Sequence, residues 1–179
     1  KDLSIAYVGT GNFNERTSRI YTDFALLPAE KRVVSEVSKV FKLLENNMER
    51  VSFRHLMVSP INYRRKIVQL IDKEIVLAKA KKPAYIRIKL NNLTDRQMIE
   101  KLLEASLAGV RVEMIVRGIC CLKTDLKKNP NLTVISIVDR YLEHARCMVF
   151  GNEGKPLFYI GSADLMERNL DYRVEVATP

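Results

Sequence analysis

The chain has 179 residues, and its 30 Lys and Arg against 21 Asp and Glu give a formal net charge of +9 at pH 7. This length allows one or two domains with a normal core. The positive charge predicts an anionic partner, but it does not distinguish nucleic acid from an anionic membrane or another polyanion. No apolar run approaches the roughly 20 residues that cross a bilayer, and no signal peptide is visible. We therefore predict a cytoplasmic protein, which the charge also allows at a membrane surface.

The first 52 residues predict a strand, a glycine-containing turn, a second strand and a helix. Alternating apolar residues over 3–7 lead into a Gly-Thr-Gly-Asn turn at 9–12, and a second apolar run covers 20–27. Apolar residues then recur at helical spacing over 33–44. These elements are too few to close a sheet, so we expect residues 1–52 to be the tail of a domain whose beginning is absent from this sequence.

From residue 53 onward the pattern predicts a complete α/β domain. Two helices separate three strands, which lie at 56–58, 85–90 and 110–116. Ser59-Pro60 and a Thr-Asp-Arg-Gln capping box at 94–97 begin the helices, and Pro83 and Gly109 end them. Further strands are predicted at 132–138, 145–150, 157–160 and 172–177. The order strand-helix-strand-helix-strand favours a mostly parallel sheet, to which the strands at 145–150 and 157–160 add a hairpin.

His144 and Arg146 stand at H-x-R spacing on an apparent strand. Because residues two apart on a strand point to the same face, we expect the imidazole and the guanidinium to project together. A Gly-Ser-Ala-Asp turn at 161–164 follows the next strand and is expected to pair with them. One imidazole can attack phosphorus while a second handles a proton, so the pattern predicts half of a phosphoryl-transfer site. His55 lacks such surroundings, and we predict no functional role for it.

Five blocks of the chain together resemble the polyphosphate kinase family, whose motifs are of the phospholipase D type. They lie at 9–14, 19–23, 116–121, 136–144, and 162–164 together with 168–175. The resemblance implies an α/β fold with a phospholipase D-like mixed sheet flanked by helices. Residues 53–179 would form one complete half, the second catalytic domain. Residues 1–52 would be the C-terminal tail of the first.

The resemblance also implies an activity, the reversible transfer of the terminal phosphate of ATP to inorganic polyphosphate through a phosphohistidine. In the family the phosphorylated histidine lies in an H-x-K motif upstream of this sequence, and His144 matches the second catalytic histidine. The chain alone is therefore expected to be inactive. ATP or ADP and polyphosphate are the expected partners, and no specific nucleic acid is expected. The full-length enzyme is implied to be a homo-oligomer.

Tyr21, Arg117 and His144 are the residues that the resemblance assigns to ATP and its phosphates. Arg117 also ends an apolar strand, where open parallel sheets bind ligands, and its guanidinium can hold phosphate oxygens with two prongs. Asn12 and Asp164 are expected to shape turns and orient the histidines. Four basic residues are candidates for a polyphosphate channel, namely Lys89, Arg146, Arg168 and Arg173.

Magnesium is expected with ATP, yet the sequence identifies no ligand for it. Cys120, Cys121 and Cys147 lack C-x-x-C spacing, so we predict reduced core thiols and no zinc site. The turn at 9–12 lacks the spacing and the lysine of a phosphate-binding P-loop. That turn and the turn at 161–164 are candidates for equivalent parts of two duplicated halves.

Two other functions fit parts of the pattern. A different phospholipase D-type phosphodiesterase or nuclease would use the same H-x-R motif and turn, but it needs no nucleotide pocket. A non-enzymatic module that binds polyanions would explain the charge and leave His144 unexplained.

Overall fold

The computed structural model describes residues 3–46, 51–125 and 127–179. The helices in these ranges are α1 (Glu15–Ser18), α2 (Lys31–Glu45), α3 (Tyr63–Lys79) and α4 (Arg96–Leu107). The strands are β1 (Val8–Gly9), β2 (Tyr21–Thr22), β3 (Ala25–Leu26), β4 (Met57–Val58), β5 (Tyr85–Leu90), β6 (Arg111–Val116), β7 (Leu132–Ile135), β8 (Leu142–Glu143), β9 (Cys147–Phe150), β10 (Leu157–Gly161) and β11 (Val176–Thr178). A 3-10 turn covers Asn152–Gly154, and a π-helical turn covers Arg168–Tyr172.

Seven strands form one mixed sheet in the order β4-β11-β10-β9-β5-β6-β7. β5, β6 and β7 are parallel, and every neighbouring pair from β5 across to β4 is antiparallel. The connection through α4 makes β5 and β6 parallel, whereas the short loop over residues 151–156 joins β9 and β10 as an antiparallel hairpin. This arrangement confirms the predicted α/β fold with a mixed sheet flanked by helices. The expectation that the sheet is mostly parallel was wrong, because among the described residues four of its six neighbouring pairs are antiparallel.

The main core lies between the sheet and helices α3 and α4. In β5, Ile86 and Ile88 are buried, while Arg87 and Lys89 point to the other face, as expected for a strand with one covered face. The buried stripes on the two helices are Ile67, Ile71 and Ile75 on α3 and Met98, Leu102 and Ala105 on α4. Asp95 caps α4 by accepting the backbone N–H of Met98 at 2.9 Å. This layer holds the carboxyl ends of β5 and β6 in place.

A small second core joins residues 1–52 to the larger unit over residues 53–179. Its buried members are Val33, Val40, Phe53, Leu56 and Val58. The buried carboxylate of Glu36 in α2 accepts the backbone N–H groups of residues 54–56. His55 joins these bonds through its backbone. The predicted domain boundary after residue 52 stays a prediction.

The predicted first strand is not formed over residues 3–7. Leu3, Ile5 and Tyr7 are 73%, 54% and 45% exposed, whereas Ala6 and Val8 face inward. A strand requires a hydrogen-bonded neighbour, and regular pairing with β3 begins only at Val8. Alternation of apolar residues was therefore not sufficient here.

Several other predicted strands are shorter or interrupted. The run over 20–27 is split into β2 and β3, because β2 pairs with β8 whereas β3 pairs with β1. Between them the backbone N–H of Phe24 donates to the Thr10 hydroxyl at 3.0 Å. β7 ends at Ile135, β9 begins at Cys147, and β11 begins at Val176. His144 and Arg146 thus lie in the connection between β8 and β9, and the prediction that a strand carries them was wrong.

The prediction that the three cysteines lie in the core was wrong for two of them. All three thiols are free, but Cys120 and Cys121 are exposed because they lie in the loop beyond the end of β6. Among the described residues, no helix has both the length and the apolarity to span a membrane.

Candidate functional site

Two short parallel strands bring the first piece of the chain to His144. β2 pairs with β8 so that Thr22 lies opposite Glu143, and the backbone N–H of His144 donates to Thr22 O at 3.2 Å. One residue further along, the two carboxylate oxygens of Asp23 lie 2.9 and 3.1 Å from His144 Nδ1. The Thr10 hydroxyl donates to the same carboxylate at 2.6 Å. Thr10 therefore holds the Asp23 carboxylate in the position from which it orients the imidazole.

Arg146 holds the other side of the imidazole ring. Its Nη1 lies 3.2 Å from His144 Nε2, and it also donates to the C=O groups of His144 and Thr10, both at 3.1 Å. Because an arginine can only donate and the Asp23 carboxylate can only accept, these contacts favour a neutral imidazole with its proton on Nδ1 and a lone pair on Nε2. His144 and Arg146 do converge, although a loop carries them.

The surroundings of His144 favour this neutral form. Burial lowers the pKa of His144, and the charge of Arg146 lowers it further, while the Asp23 carboxylate raises it. The net pKa lies below the ordinary value of 6.5, so the ring is neutral at pH 7. Such a ring can accept a proton at Nε2, and the Asp23 carboxylate stabilises the imidazolium that forms.

We expect an NMR titration to place the pKa of His144 below 6.5. Arg146→Met should raise this pKa by removing a like charge, and Asp23→Asn should lower it by removing the partner of the charged form. Just below pH 6.5 the unfolded chain binds a proton that folded His144 does not bind, so the free energy of unfolding should fall as the pH falls through that window. The His55→Gln variant assigns the resonances. A pKa of His144 at or above 6.5 would contradict the assigned tautomer and charge balance.

Asp164 is the buried end of this network, at 4% exposure. Its carboxylate accepts Arg146 Nε at 2.9 Å, the backbone N–H of Asn91 at 2.8 Å and Asn92 Nδ2 at 2.9 Å. Burial raises the pKa of Asp164, but Arg146 and the two asparagines together hold it below its ordinary value. These bonds tie the turn at 161–164 to the loop of His144. The predicted role of Asp164 in orienting the histidine stays a prediction, with this geometry in its favour.

Arg117 lies directly after β6 and beside the network. Its Nε donates to Asn91 Oδ1 at 2.7 Å, and Asn91 Nδ2 donates to His144 O at 3.1 Å. Within the described ranges Nη1 and Nη2 of Arg117 make no hydrogen bond, so both remain available to an anion.

Tyr21 packs on the imidazole, with ring centroids 4.7 Å apart and planes inclined by 46°. Tyr21 and Asp23 also line a pocket of about 440 Å³, and its other lining residues are Tyr7, 11–15, 17 and 18. This volume lies in the range of small-molecule sites. A cavity of about 530 Å³ on the far face of the sheet shares only Lys89 with the residues predicted for the site.

Lys89 turns toward the loop that carries His144. Its Nζ donates to the C=O groups of Glu143 and Ala145 at 3.1 and 2.9 Å, and it pairs with the Glu143 carboxylate at 3.4 Å. The side chain is 14% exposed. Its ammonium group thus brackets the backbone of His144 on both sides.

The remaining predicted residues, Asn12, Arg168 and Arg173, are exposed. Arg173 follows the π-helical turn and donates its backbone N–H to Arg168 O at 3.0 Å. Neither guanidinium makes an ion pair or a side-chain hydrogen bond in the part of the chain that the structure describes. The Asn12 C=O accepts the Asn14 N–H at 2.9 Å.

The turns at 9–12 and 161–164 belong to an internal repeat. β1 pairs with β3 as Val8 to Leu26, and β10 pairs with β11 as Ile160 to Thr178, so the paired residues differ by 160 − 8 = 178 − 26 = 152 positions. The side-chain bond from Thr10 to Asp23 recurs from Ser162 to Glu175, and each spans 13 residues.

The same displacement relates the predicted site residues in pairs. Asn12 corresponds to Asp164, Tyr21 to Arg173, and Asp23 to Glu175. Asp23 orients His144, whereas Glu175 accepts bonds from Ser162 and Asn169 and from no histidine within the described residues.

Sequence reasoning did not single out several residues of this network, namely Thr10, Asp23, Asn91, Asn92 and Glu175. The two similar turns, each followed at equal spacing by a carboxylate, would have indicated Asp23 and Glu175.

Comparison with known proteins identifies the family. The family described as polyphosphate kinase C-terminal domain 2 matches residues 56–179, and that described as polyphosphate kinase C-terminal domain 1 matches residues 2–50. Over 175 residues the chain is 52% identical to the polyphosphate kinase of Vibrio cholerae and 50% identical to that of Escherichia coli K12. Each alignment covers 97% of this chain and 25% of the relative, so the chain spans about a quarter of these proteins.

Solved structures agree with the sequence matches. The crystal structure of polyphosphate kinase from Porphyromonas gingivalis has a TM-score of 0.93 at 44% identity, over 98% of this chain and 27% of its own. Nuc, a phospholipase D family member from Salmonella typhimurium, has a TM-score of 0.50 at 15% identity, over 68% of this chain and 78% of its own, which shows a shared fold alone. The two family matches, these relatives and the mixed sheet show that the chain belongs to the polyphosphate kinase family and corresponds to its C-terminal domains.

Proposed function

We propose that the full-length protein containing this chain transfers the terminal phosphate of ATP to inorganic polyphosphate, reversibly, through a phosphohistidine. The observation that carries the proposal is the arrangement at His144, with Nδ1 held by Asp23 and Nε2 beside Arg146. In this proposal His144 is the second catalytic histidine, and the phosphorylated one lies outside this sequence.

His144 would act by moving a proton at Nε2. When the terminal oxygen of polyphosphate attacks the phosphohistidine, a P–O bond forms, the P–N bond breaks, and the bonding electrons return to the first imidazole. Where the attacking oxygen carries a proton, the neutral Nε2 of His144 accepts it, and Asp23 stabilises the imidazolium. Arg146 and the free prongs of Arg117 would offset the charge of the transferring phosphoryl group.

The internal repeat supports a second histidine. Glu175 is held by Ser162 as Asp23 is held by Thr10, so it can orient an imidazole as Asp23 orients that of His144. We propose that the upstream histidine donates to Glu175. Arg173, at the position of Tyr21, would then lie against that ring and its phosphate.

The pocket beside Tyr21 and the exposed arginines would bind the two substrates. The ring of Tyr21 and the pocket beside it suit a nucleotide, and Arg168 and Arg173 have guanidinium groups free for polyphosphate. Lys89 and Arg146 are engaged in internal bonds, so we assign them mainly to holding the loop of His144. No three His, Cys, Asp or Glu side chains converge on a metal site within the described residues. Magnesium is therefore proposed to enter with the phosphates of ATP, and no step here depends on it.

The test measures ATP formation from ADP and polyphosphate by the full-length protein, together with acid-labile phosphate on the polypeptide. We expect both with the full-length protein and neither with this chain alone, because the attacking histidine is missing. Glu175→Gln should lower the rate of phosphohistidine formation about 10²-fold, as expected for losing the group that orients a nucleophile or base. Glu104→Gln, at an exposed position of α4, is the control.

Two outcomes would contradict the proposal. Cleavage of a phosphodiester without ATP formation would favour the phospholipase D-type alternative. Phosphate recovered on His144 would reverse the assigned roles of the two histidines.

A further inference from the structure

Asn91 lies where three segments of the site meet. It directly follows β5, which is flanked in the sheet by β6 and β9. Because β6 runs parallel to β5 and β9 antiparallel, the end of β6 and the start of β9 are both beside Asn91. Arg117 follows the first of these strands, and the loop of His144 precedes the second.

The four polar groups of Asn91 all form hydrogen bonds, two of them to the adjacent residues Arg117 and Gly118. Its Oδ1 accepts Arg117 Nε at 2.7 Å, and its Nδ2 donates to His144 O at 3.1 Å. Its backbone N–H donates to Asp164 at 2.8 Å, and its C=O accepts the Gly118 N–H at 2.7 Å. The residue is 1% exposed, so water cannot readily replace any of these partners.

We infer that Asn91 is a positioning residue that couples the guanidinium of Arg117 to the loop of His144. The inference rests on the proposed function, because Arg117 and His144 matter only if phosphate binds between them. A guanidinium is planar, so a bond that fixes Nε also fixes the direction of both free prongs. The same amide fixes the backbone of His144. One side chain thus sets the separation between the Arg117 guanidinium, which would bind phosphate, and the imidazole of His144.

The side-chain amide is suited to this task because it donates and accepts at once. A carboxylate would keep the acceptor for Arg117 and lose the donor to His144 O. Asn91→Asp therefore breaks one side of the coupling without changing the size of the residue. Asn62→Asp is a matched control, since Asn62 is 3% exposed and bonds through its side chain to backbone groups of Phe53, Leu56 and Val58.

The experiment compares these variants in the full-length protein, with and without Arg117→Lys. We expect Asn91→Asp to lower kcat about 10–100-fold, the size of effect that small misplacements of reacting groups produce. Asn62→Asp should lower the midpoint of thermal unfolding by a similar amount and leave kcat within threefold. In the Arg117→Lys background, Asn91→Asp should lower kcat by less than a further threefold, because Arg117→Lys has already removed the coupling.

Binding of inorganic tripolyphosphate, followed by calorimetry, tests the inference independently of turnover. Asn91→Asp should weaken this binding about tenfold in the wild-type background and less than threefold beside Arg117→Lys. If wild-type protein forms no ATP, the proposed function fails, and the binding cycle still decides the role of Asn91. Multiplicative effects of the two substitutions, or equal losses in Asn62→Asp, would overturn it.

Discussion

His144→Gln in the full-length protein should lower kcat for ATP formation by about 10²–10⁴-fold, the usual contribution of a positioned acid or base. Glutamine retains an amide that can bond to Asp23 or to Arg146, so the buried neighbours keep a polar partner. It has no nitrogen that accepts and releases a proton near pH 7, which is why the chemical step and not folding should suffer.

The measurement is steady-state kinetics from pH 5.5 to 8.5, with thermal unfolding of the same samples. The kcat of the wild-type protein should fall as the pH falls through the lowered pKa of His144, and the kcat of the variant should not show this pH dependence. His55→Gln is the matched control, since the His55 backbone serves the small core and we predict no function for its ring. A kcat within fivefold of wild type would remove His144 from the chemistry.

The fold was largely predictable because its information is local. The apolar stripes of α3 and α4 and the alternation of β5 each indicate an element and its buried face, and the connection through α4 indicates the parallel pair. The errors arose where hydrogen-bond partners are distant in sequence. The predicted strand at 20–27 is divided because β2 pairs with β8 whereas β3 pairs with β1. Residues 3–7 have the alternation of a strand, but regular pairing with β3 begins only at Val8.

The site was predictable only in part, for the same reason. The spacing of His144 and Arg146 is visible in the sequence, and the structure brings the two side chains together. Asp23 reaches His144 across 121 residues through a two-residue parallel pairing that no periodicity indicates. Lys89 is a candidate for the polyphosphate channel from its charge, and that role stays a prediction. What the sequence did not indicate is that the register of β5 beside β9 directs its ammonium group to the carbonyl groups around His144.

Arg146→Met should destabilise this chain by about 3–5 kcal/mol, the cost of removing one partner of a buried ion pair. The side chains of Arg146 and Asp164 are 13% and 5% exposed. Methionine leaves the Asp164 charge with bonds from Asn91 and Asn92 but without a counter-charge. It also removes the link from Nη1 to Thr10 O, which joins the first piece of the chain to the loop of His144.

Urea unfolding of the 179-residue chain at pH 7 measures this loss, and Arg87→Met is the control, because Arg87 pairs with Glu113 at an exposed site and its removal should change little. The double variant Arg146→Met with Asp164→Leu should be more stable than Arg146→Met alone, since no uncompensated charge remains.

In the wild-type chain the lowered pKa of Asp164 means that the folded state binds fewer protons than the unfolded state near pH 3.8. The contribution of the pair is therefore present above that pH and is lost as the pH falls through the folded pKa. A loss below 1 kcal/mol in Arg146→Met would mean that Asn91 and Asn92 alone suffice for the Asp164 charge. Arg146 would then contribute to the site, through the phosphoryl group and His144, and not to the stability of the fold.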